Sequence, residues 1–412
     1  MKVYSKLLLE DGGGIISPYQ QAEHVQNEVN IFIGLGGTGI DCLREIKTQV
    51  YLRLKPGKQG IDRKEYSNIR FLGVDCDFSH NKSKQKNYRY NNLCLDSSEL
   101  FYISHYHISK FYRDNQILEK LQELEKKPEF DWFRLKDMDV FELRGSAGIR
   151  QMGRFMMMRD AKRFSEKVKE EIYLAGSGIN SPIINIHVIS GLGGGTGSGC
   201  FLDVCYMLRN IEKELGATSI YGYFFLPDVN LSRIPTGDNL MREYVTKNAY
   251  AAMQELDYCM QIKENGGEFI QEYQGHRRIE WKEAPVDMCH LISATNVKGE
   301  LIPNAYKYAM NVTAEYIMNF LIASSGDVLG LTSQLANYRA KVTQANWLKE
   351  QGFNLKYCTL GAASAGIPLR EINTYLASEL FERFSTIEIN TPTKADVEAL
   401  ELSALAKGRK NE

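Results

Sequence analysis

Ile183-Ile184-Asn185-Ile186-His187-Val188-Ile189 runs into Gly191-Leu192-Gly193-Gly194-Gly195-Thr196-Gly197-Ser198-Gly199, and Phe201-Leu202-Asp203-Val204-Cys205-Tyr206-Met207-Leu208 follows. The first segment is apolar, β-branched and bounded by Pro182, which predicts a buried strand. The last predicts a helix. Six glycines between them strip side chains from the turn. The exposed N–H groups, with a helix N-terminus behind them, make a cradle for an anion, and phosphate is the guest it fits. Thr196 and Ser198 add hydroxyl donors. A flexible linker would not lie between a buried strand and an apolar helix. The run is not the common P-loop either, because no lysine ends it. The cradle therefore works with backbone amides and a metal ion rather than an ammonium group.

The chain has 412 residues, enough for two or three domains. Its 50 basic and 51 acidic side chains leave a net charge of -1, which argues against a nucleic-acid footprint over the whole surface. Lys82-Ser83-Lys84-Gln85-Lys86 with Tyr88, Arg89 and Tyr90 is the one local basic patch, and it reads as a solvated loop. The eight cysteines form no Cys-x-x-Cys pair and sit mostly in apolar runs, which fits free thiols in a reducing compartment. His105-x-His107 lacks further ligands at zinc spacing. The N-terminus lacks a leader pattern and no stretch is apolar enough to span a membrane. The expectation is a cytoplasmic protein without a membrane span.

Outward from the central run, the pattern of strand, glycine loop and helix repeats. Asn30–Ile33 reads as a strand, Gly34-Leu35-Gly36-Gly37-Thr38-Gly39 as a loop, and Ile40–Tyr51 as a helix. Ile69–Val74 is the next strand, ending in Asp75-Cys76-Asp77. Residues 79–140 are rich in Tyr, Lys and Asn, with an amphipathic helix near 115–127. Gly145-Ser146-Ala147-Gly148 precedes a Met-rich helix, and Arg144, Arg150 and Arg154 around it face either phosphate oxygens or solvent. Ser219–Leu226 and Met288–Ile292 read as strands, Thr246–Ile262 and Ala305–Ile322 as helices. This order predicts an α/β fold: a parallel sheet with helices on both faces and ligands beyond the carboxyl ends of the strands. All the glycine loops fall at those ends.

Gly34-x-Gly36-x-x-Gly39 also matches the dinucleotide fingerprint, with Asp75 or Asp77 at the end of the next strand. That leaves a dinucleotide-dependent oxidoreductase open, although a second glycine run is of no use to such a fold.

Gly193-Gly194-Gly195-Thr196-Gly197-Ser198-Gly199 matches the tubulin signature residue for residue, and the chain resembles the tubulin/FtsZ superfamily, most closely its prokaryotic tubulin-like branch. The resemblance covers roughly residues 30–322. It implies a Rossmann-like GTPase domain that binds GTP or GDP with Mg²⁺. Gly36, Gly37 and Thr38 look like the first nucleotide loop. Asp75 and Asp77 look like the second, with Asp77 near the metal, and Gly145, Ser146, Ala147 and Gly148 like the third. Asn248 falls on the helix that approaches the ribose. Asn296 follows a strand where the family places an asparagine on the base, and it could bond to either purine. Tyr306, with Tyr308 as competitor, would stack on the base, and Asn311 would add a contact.

In the superfamily a neighbouring subunit inserts carboxylates that orient the attacking water. Residues 323–334 here lack that motif, and Asp327 is their only carboxylate, leaving it as the catalytic candidate. The resemblance implies self-assembly into a homo-oligomer or filament, with other protein partners open and no nucleic acid. The expected organisation is an extension over 1–29, a nucleotide-binding domain over 30–302, a central helix over 303–322, and a short or divergent C-terminal region over 323–412. Leu369–Phe384 within that region reads as a helix. Two functional readings stand beside the oxidoreductase: a GTPase that assembles or switches, and a nucleotide-binding scaffold without hydrolysis.

Overall fold

The computed structural model describes residues 28–53, 68–77, 95–103, 132–133, 148–215, 218–273, 278–323, 357–360 and 369–385, with a few single positions between 119 and 126 and between 394 and 399. The helix expected near 115–127, the basic patch at 82–90, the pair His105 and His107, Arg144, Gly145, Ser146, Ala147 and Asp327 lie outside the described residues. Two compact units divide the chain, residues 1–361 and 362–412. The second contains one described helix of more than two residues, Leu369–Ser385, as its apolar spacing predicts.

In the first unit the strands are β1 (Glu28–Leu35), β2 (Ile69–Asp75), β3 (Leu100–Tyr102), β4 (Ile183–Gly191), β5 (Thr218–Phe225), β6 (Phe269–Gln271), β7 (Ile279–Trp281), β8 (Met288–Ile292) and β9 (Tyr357–Thr359). The helices are α1 (Gly36–Arg53), α2 (Arg150–Gly176), α3 (Thr196–Leu215), α4 (Pro227–Leu231), α5 (Asn239–Met260) and α6 (Ala305–Ala323). One seven-stranded sheet has the order β3-β2-β1-β4-β5-β8-β9, and every pairing in it is parallel. The fold class read from the sequence is therefore the one observed. β6 and β7 form a separate antiparallel pair.

Period-2 alternation sends side chains to two cores. Ile31, Ile33 and Leu35 of β1 join Phe155, Phe164, Phe201 and Met207 from α2 and α3. Phe32 of β1, Phe71 of β2 and Tyr223 of β5 join Leu43 and Ile46 of α1 and Met318 of α6. The central strands are buried along nearly their whole length. That is why they read as continuous apolar runs.

The sequence placed three helix starts too late. α1 begins at Gly36 rather than Ile40, and α3 at Thr196 rather than Phe201. The glycines are themselves the first helical turns, whose N–H groups have no partner inside the helix. α5 starts earlier than its apolar stripe, because the Asp238 carboxylate caps it by accepting from the Met241 N–H at 3.1 Å.

The α1/α6 face of the sheet carries a polar aromatic ladder. Phe71 stacks on Phe32, Phe32 on His187, His187 on Tyr221, and Tyr223 on His290, with centroids 4.4–5.6 Å apart. Asn30 Oδ1 can only accept, so His187 donates to it from Nε2 at 3.3 Å and accepts the Tyr223 hydroxyl proton at Nδ1 at 3.2 Å. His290 donates from Nδ1 to the Gly222 carbonyl at 3.1 Å and accepts from Tyr316 at Nε2 at 3.0 Å. Both rings are neutral in this network. Burial pushes His187 down to about 3, with His290 adding to the effect, and burial pushes His290 down to about 4.

The unfolded chain protonates these histidines near pH 6.5, and the folded chain does not until far lower pH. Folding stability should therefore fall as pH drops below 6.5, by about 2 kcal/mol per histidine at pH 5. Urea unfolding at pH 7.5 and 5.0 checks this. The wild type should lose far more stability between the two pH values than a His187→Gln, His290→Gln double variant. Equal losses would show that the ladder does not carry the pH dependence.

Candidate functional site

A cleft of about 500 Å³ opens where the strand ends meet the helix starts, lined by Leu35, Gly36, Gly37, Thr38, Asp75, Cys76, Asp77, Gly191, Gly194, Gly195, Thr196, Gly197 and Met241. β1 and β4 are in-register neighbours, so the loops that follow them lie side by side. The helices they open lie equally close. A Cβ on Gly36 would stand 2.9 Å from the Gly197 nitrogen, and Gly36 has a φ of +66°. A Cβ on Gly197 would stand 2.5 Å from the Leu35 carbonyl oxygen. Only glycine permits this approach.

Two N-termini thus converge on one space, and their partial positive charges add. Neither α1 nor α3 has an acidic residue in its first turn, whereas α4 carries Asp228 and α5 is capped by Asp238. Added Cβ atoms on Gly37 and Gly194 would meet nothing within 4 Å. The glycines therefore divide by role. Gly36 and Gly197 let the two loops touch, and Gly37 and Gly194 leave room on the cleft side.

The second loop forms the opposite wall. Asp75 is almost fully buried and its Oδ1 accepts from the Cys76 N–H at 2.8 Å. Cys76 Sγ and Thr196 Oγ1 are 2.8 Å apart and share a hydrogen bond. Burial pushes the Tyr102 phenol up, and the Asp75 carboxylate beside it adds to this.

Nine of the sequence-derived site residues line the cleft: Gly36, Gly37, Thr38, Asp75, Asp77, Gly194, Gly195, Thr196 and Gly197. The other described site residues do not line it. Ser198 is fully buried, and its Oγ accepts from Arg150 Nε at 2.8 Å. Asn248 donates from Nδ2 to the Gly148 carbonyl at 2.7 Å and the Gly193 carbonyl at 3.1 Å, tying two loops together. Asn296 is exposed and closes its own turn. Its Oδ1 accepts from the Lys298 and Glu300 N–H groups, and its Nδ2 donates to Glu300. Tyr306 donates to Asp41 Oδ2 at 2.9 Å, and the Arg233 guanidinium lies 4.3 Å over its ring. Burial pushes the Tyr306 phenol well up, helped by Asp41. Asn311 keeps a buried side-chain oxygen that has no hydrogen-bond partner among the described residues.

Arg150 and Arg154, two of the three arginines read as facing phosphate or solvent, are partly buried and bond protein groups. Arg150 pairs with Glu255 at 2.9 Å and with Ser198. Arg154 bonds Asp203 at 3.0 Å and Gln271 at 3.0 Å, and lies over Trp132. Burial works against the Arg154 cation, but Asp203 and then Tyr273 outweigh it and keep it protonated.

Sequence reasoning missed Met241, Cys76 and Asn230. Asn230 donates to Thr38 Oγ1 at 3.0 Å, and its Oδ1 is buried without a partner among the described residues. Its signal was its place just past β5, at the same end of the sheet as the glycine loops. Met241 carried no signal, because the helix holding it was started too late. Among the described residues no group of three or more His, Cys, Asp or Glu is arranged for a metal, and no helix is long and apolar enough to cross a membrane.

Residues 31–385 match the model of the tubulin-like family. The chain belongs to that family. Comparison with curated protein sequences finds no match. Among solved structures, CetZ2 from Haloferax volcanii, described as a GTPγS-bound protofilament, is similar at 14% identity and a TM-score of 0.41, covering 75% of this chain and 62% of that one. CetZ from Methanosaeta thermophila is similar at 13% identity and 0.42, covering 76% and 59%. TubZ from Bacillus thuringiensis serovar israelensis, described as a GTPγS-form protofilament, is similar at 12% identity and 0.38, covering 73% and 58%. The chain thus spans 58–62% of the length of these three proteins.

The two glycine roles are separable by stability. A Cβ on Gly197 would stand 2.5 Å from the Leu35 carbonyl oxygen, a backbone atom. Gly197→Ala should lower unfolding free energy by about 1–3 kcal/mol, while Gly194→Ala should stay within about 0.5 kcal/mol of wild type. Urea denaturation measures both, and equal midpoints would contradict the division.

Proposed function

We propose that this chain binds a guanine nucleoside triphosphate in the cleft between α1 and α3, and that nucleotide state governs its assembly with further copies or a switch in its shape. The observation that carries the reading is the pair of acid-free helix N-termini facing one space, with Gly37 and Gly194 open toward it. An anion is what such a space stabilises. The orphaned oxygens of Asn230 and Asn311 accord with a ligand that also brings hydrogen-bond donors. Family membership supports guanine as the base and self-assembly as the consequence. The adjoining Asn296, Tyr306 and Asn311 remain the base-side residues of this reading, with Gly148 and the 145–147 loop on the phosphate side.

The second loop fits Mg²⁺. Magnesium is usually held by one or two carboxylates together with substrate phosphates rather than by a full protein cage. Asp77, with Asp75 behind it, supplies that pair at the cleft wall. A bound Mg²⁺ would neutralise phosphate charge.

Between hydrolysis and simple binding, the sequence at 323–334 favours binding, because Asp327 is its only carboxylate. Phosphoryl transfer needs a group that orients water. Among the described residues, the carboxylates lining the cleft come from the metal-side loop.

Titration calorimetry on the full chain with Mg²⁺ tests the reading. GTPγS should bind at least about tenfold tighter than ATPγS, and NAD⁺ should not bind. Gly195→Val places a side chain in the cradle and should weaken GTPγS by tenfold or more, on the order of 1.4 kcal/mol. Undiminished binding by that variant, or tight NAD⁺ binding, would remove the assignment. Light scattering with GTPγS should rise with protein concentration, and phosphate release from GTP should be slow.

A further inference from the structure

The side chain of Asn248 and that of Glu255 lie on one face of α5, and both reach the loops around the cleft. Asn248 Nδ2 holds the carbonyls of Gly148 and Gly193. Glu255 holds Arg150 at 2.9 Å, and Arg150 takes the Ser198 hydroxyl at 2.8 Å and the Ser198 carbonyl at 3.0 Å. The backbones beneath are in contact, since a Cβ on Gly153 would stand 2.4 Å from the Gly195 carbonyl oxygen. α2 and α5 therefore hold the signature loop through Arg150 and Asn248.

A trans peptide is planar, with its C=O and the following N–H pointing in opposite directions. A donor that fixes the Gly193 carbonyl on the α5 side turns the Gly194 N–H the other way. Gly194 lines the cleft, and its N–H donates to no backbone acceptor among the described residues. The same geometry at Gly148 sets the N–H of Ile149, the residue that caps α2.

We propose that Asn248 is a positioning residue of the anion cradle, which draws the Gly193 and Gly148 carbonyls outward and aims the Gly194 and Ile149 N–H groups at the phosphates. It does not touch the nucleotide sugar. Arg150, anchored by Glu255, donates to the Ser198 hydroxyl and carbonyl and so fixes the first turn of α3 beside this loop. A carbonyl turned inward would oppose a phosphate, so these side chains decide the sign of the field in the cradle. α5 becomes the lever: a shift of this helix would release both carbonyls at once. The proposal rests on nucleotide binding in this cleft.

Affinities of the full chain for GTP and for 2′,3′-dideoxy-GTP, each with Mg²⁺, test it. Asn248→Ala should weaken both by the same factor, about tenfold or more for the two lost orienting hydrogen bonds. Asn248→Asp keeps the shape but turns a carboxylate on two carbonyls, and should weaken both further. Glu255→Gln should also weaken both. Thermal unfolding confirms that each variant is folded, and the isosteric Asp variant serves if the Ala variant is not. If the wild type prefers GTP over the dideoxy analogue and Asn248→Ala erases that preference, Asn248 contacts the sugar and the proposal falls. Unchanged affinities for both ligands overturn it too. A wild type that binds neither nucleotide overturns the site reading itself.

Discussion

The approach of two backbones at Gly36 and Gly197 is the constraint on which the rest depends. A Cβ on Gly36 would stand 2.9 Å from the Gly197 nitrogen, closer than any side chain permits. Because the loops after β1 and β4 touch there, α1 and α3 begin side by side and their N-termini face a common cleft. The in-register parallel pairing of β1 with β4 makes that meeting possible, and the sheet is packed between two cores. Two helix N-termini thereby face one space, without a lysine.

Around that contact the protein fixes its peptide planes with side chains. Asn248 and Arg150 hold carbonyls on the outer side of the loop. Asp203 ties α3 to α2 through Arg154 and to the β6–β7 region through Tyr273. On the other face, neutral His187 links β4 to β1 and β5 through Asn30 and Tyr223, and neutral His290 ties β8 to α6 through Tyr316. These polar groups are buried and partnered, so they specify one arrangement of the loops where apolar packing would tolerate several.

The fold was legible because its determinants are local and periodic. The apolar runs of β1, β2, β4, β5 and β8 and the helices between them follow from hydrophobic spacing and from glycine loops at strand ends. β3, β6 and β7 escaped notice because each is three residues long, too short for periodicity to register. The cleft was equally legible, since nine residues named from the glycine runs and the acidic loop line it. The side-chain contacts were not. Ser198 looks like a phosphate donor in sequence, but the Arg150 that claims it stands 48 positions away. Tyr306 meets Asp41 across 265 positions, a pairing no local pattern encodes.

Hydrogen exchange of the full chain, with and without GTPγS and Mg²⁺, tests the central claim most directly. Exchange should slow together in the peptides covering residues 34–39 and 191–199, because one anion would engage the N–H groups of both loops. Protection of only one loop, or protection confined to segments away from both, would contradict a shared cradle at the meeting of α1 and α3.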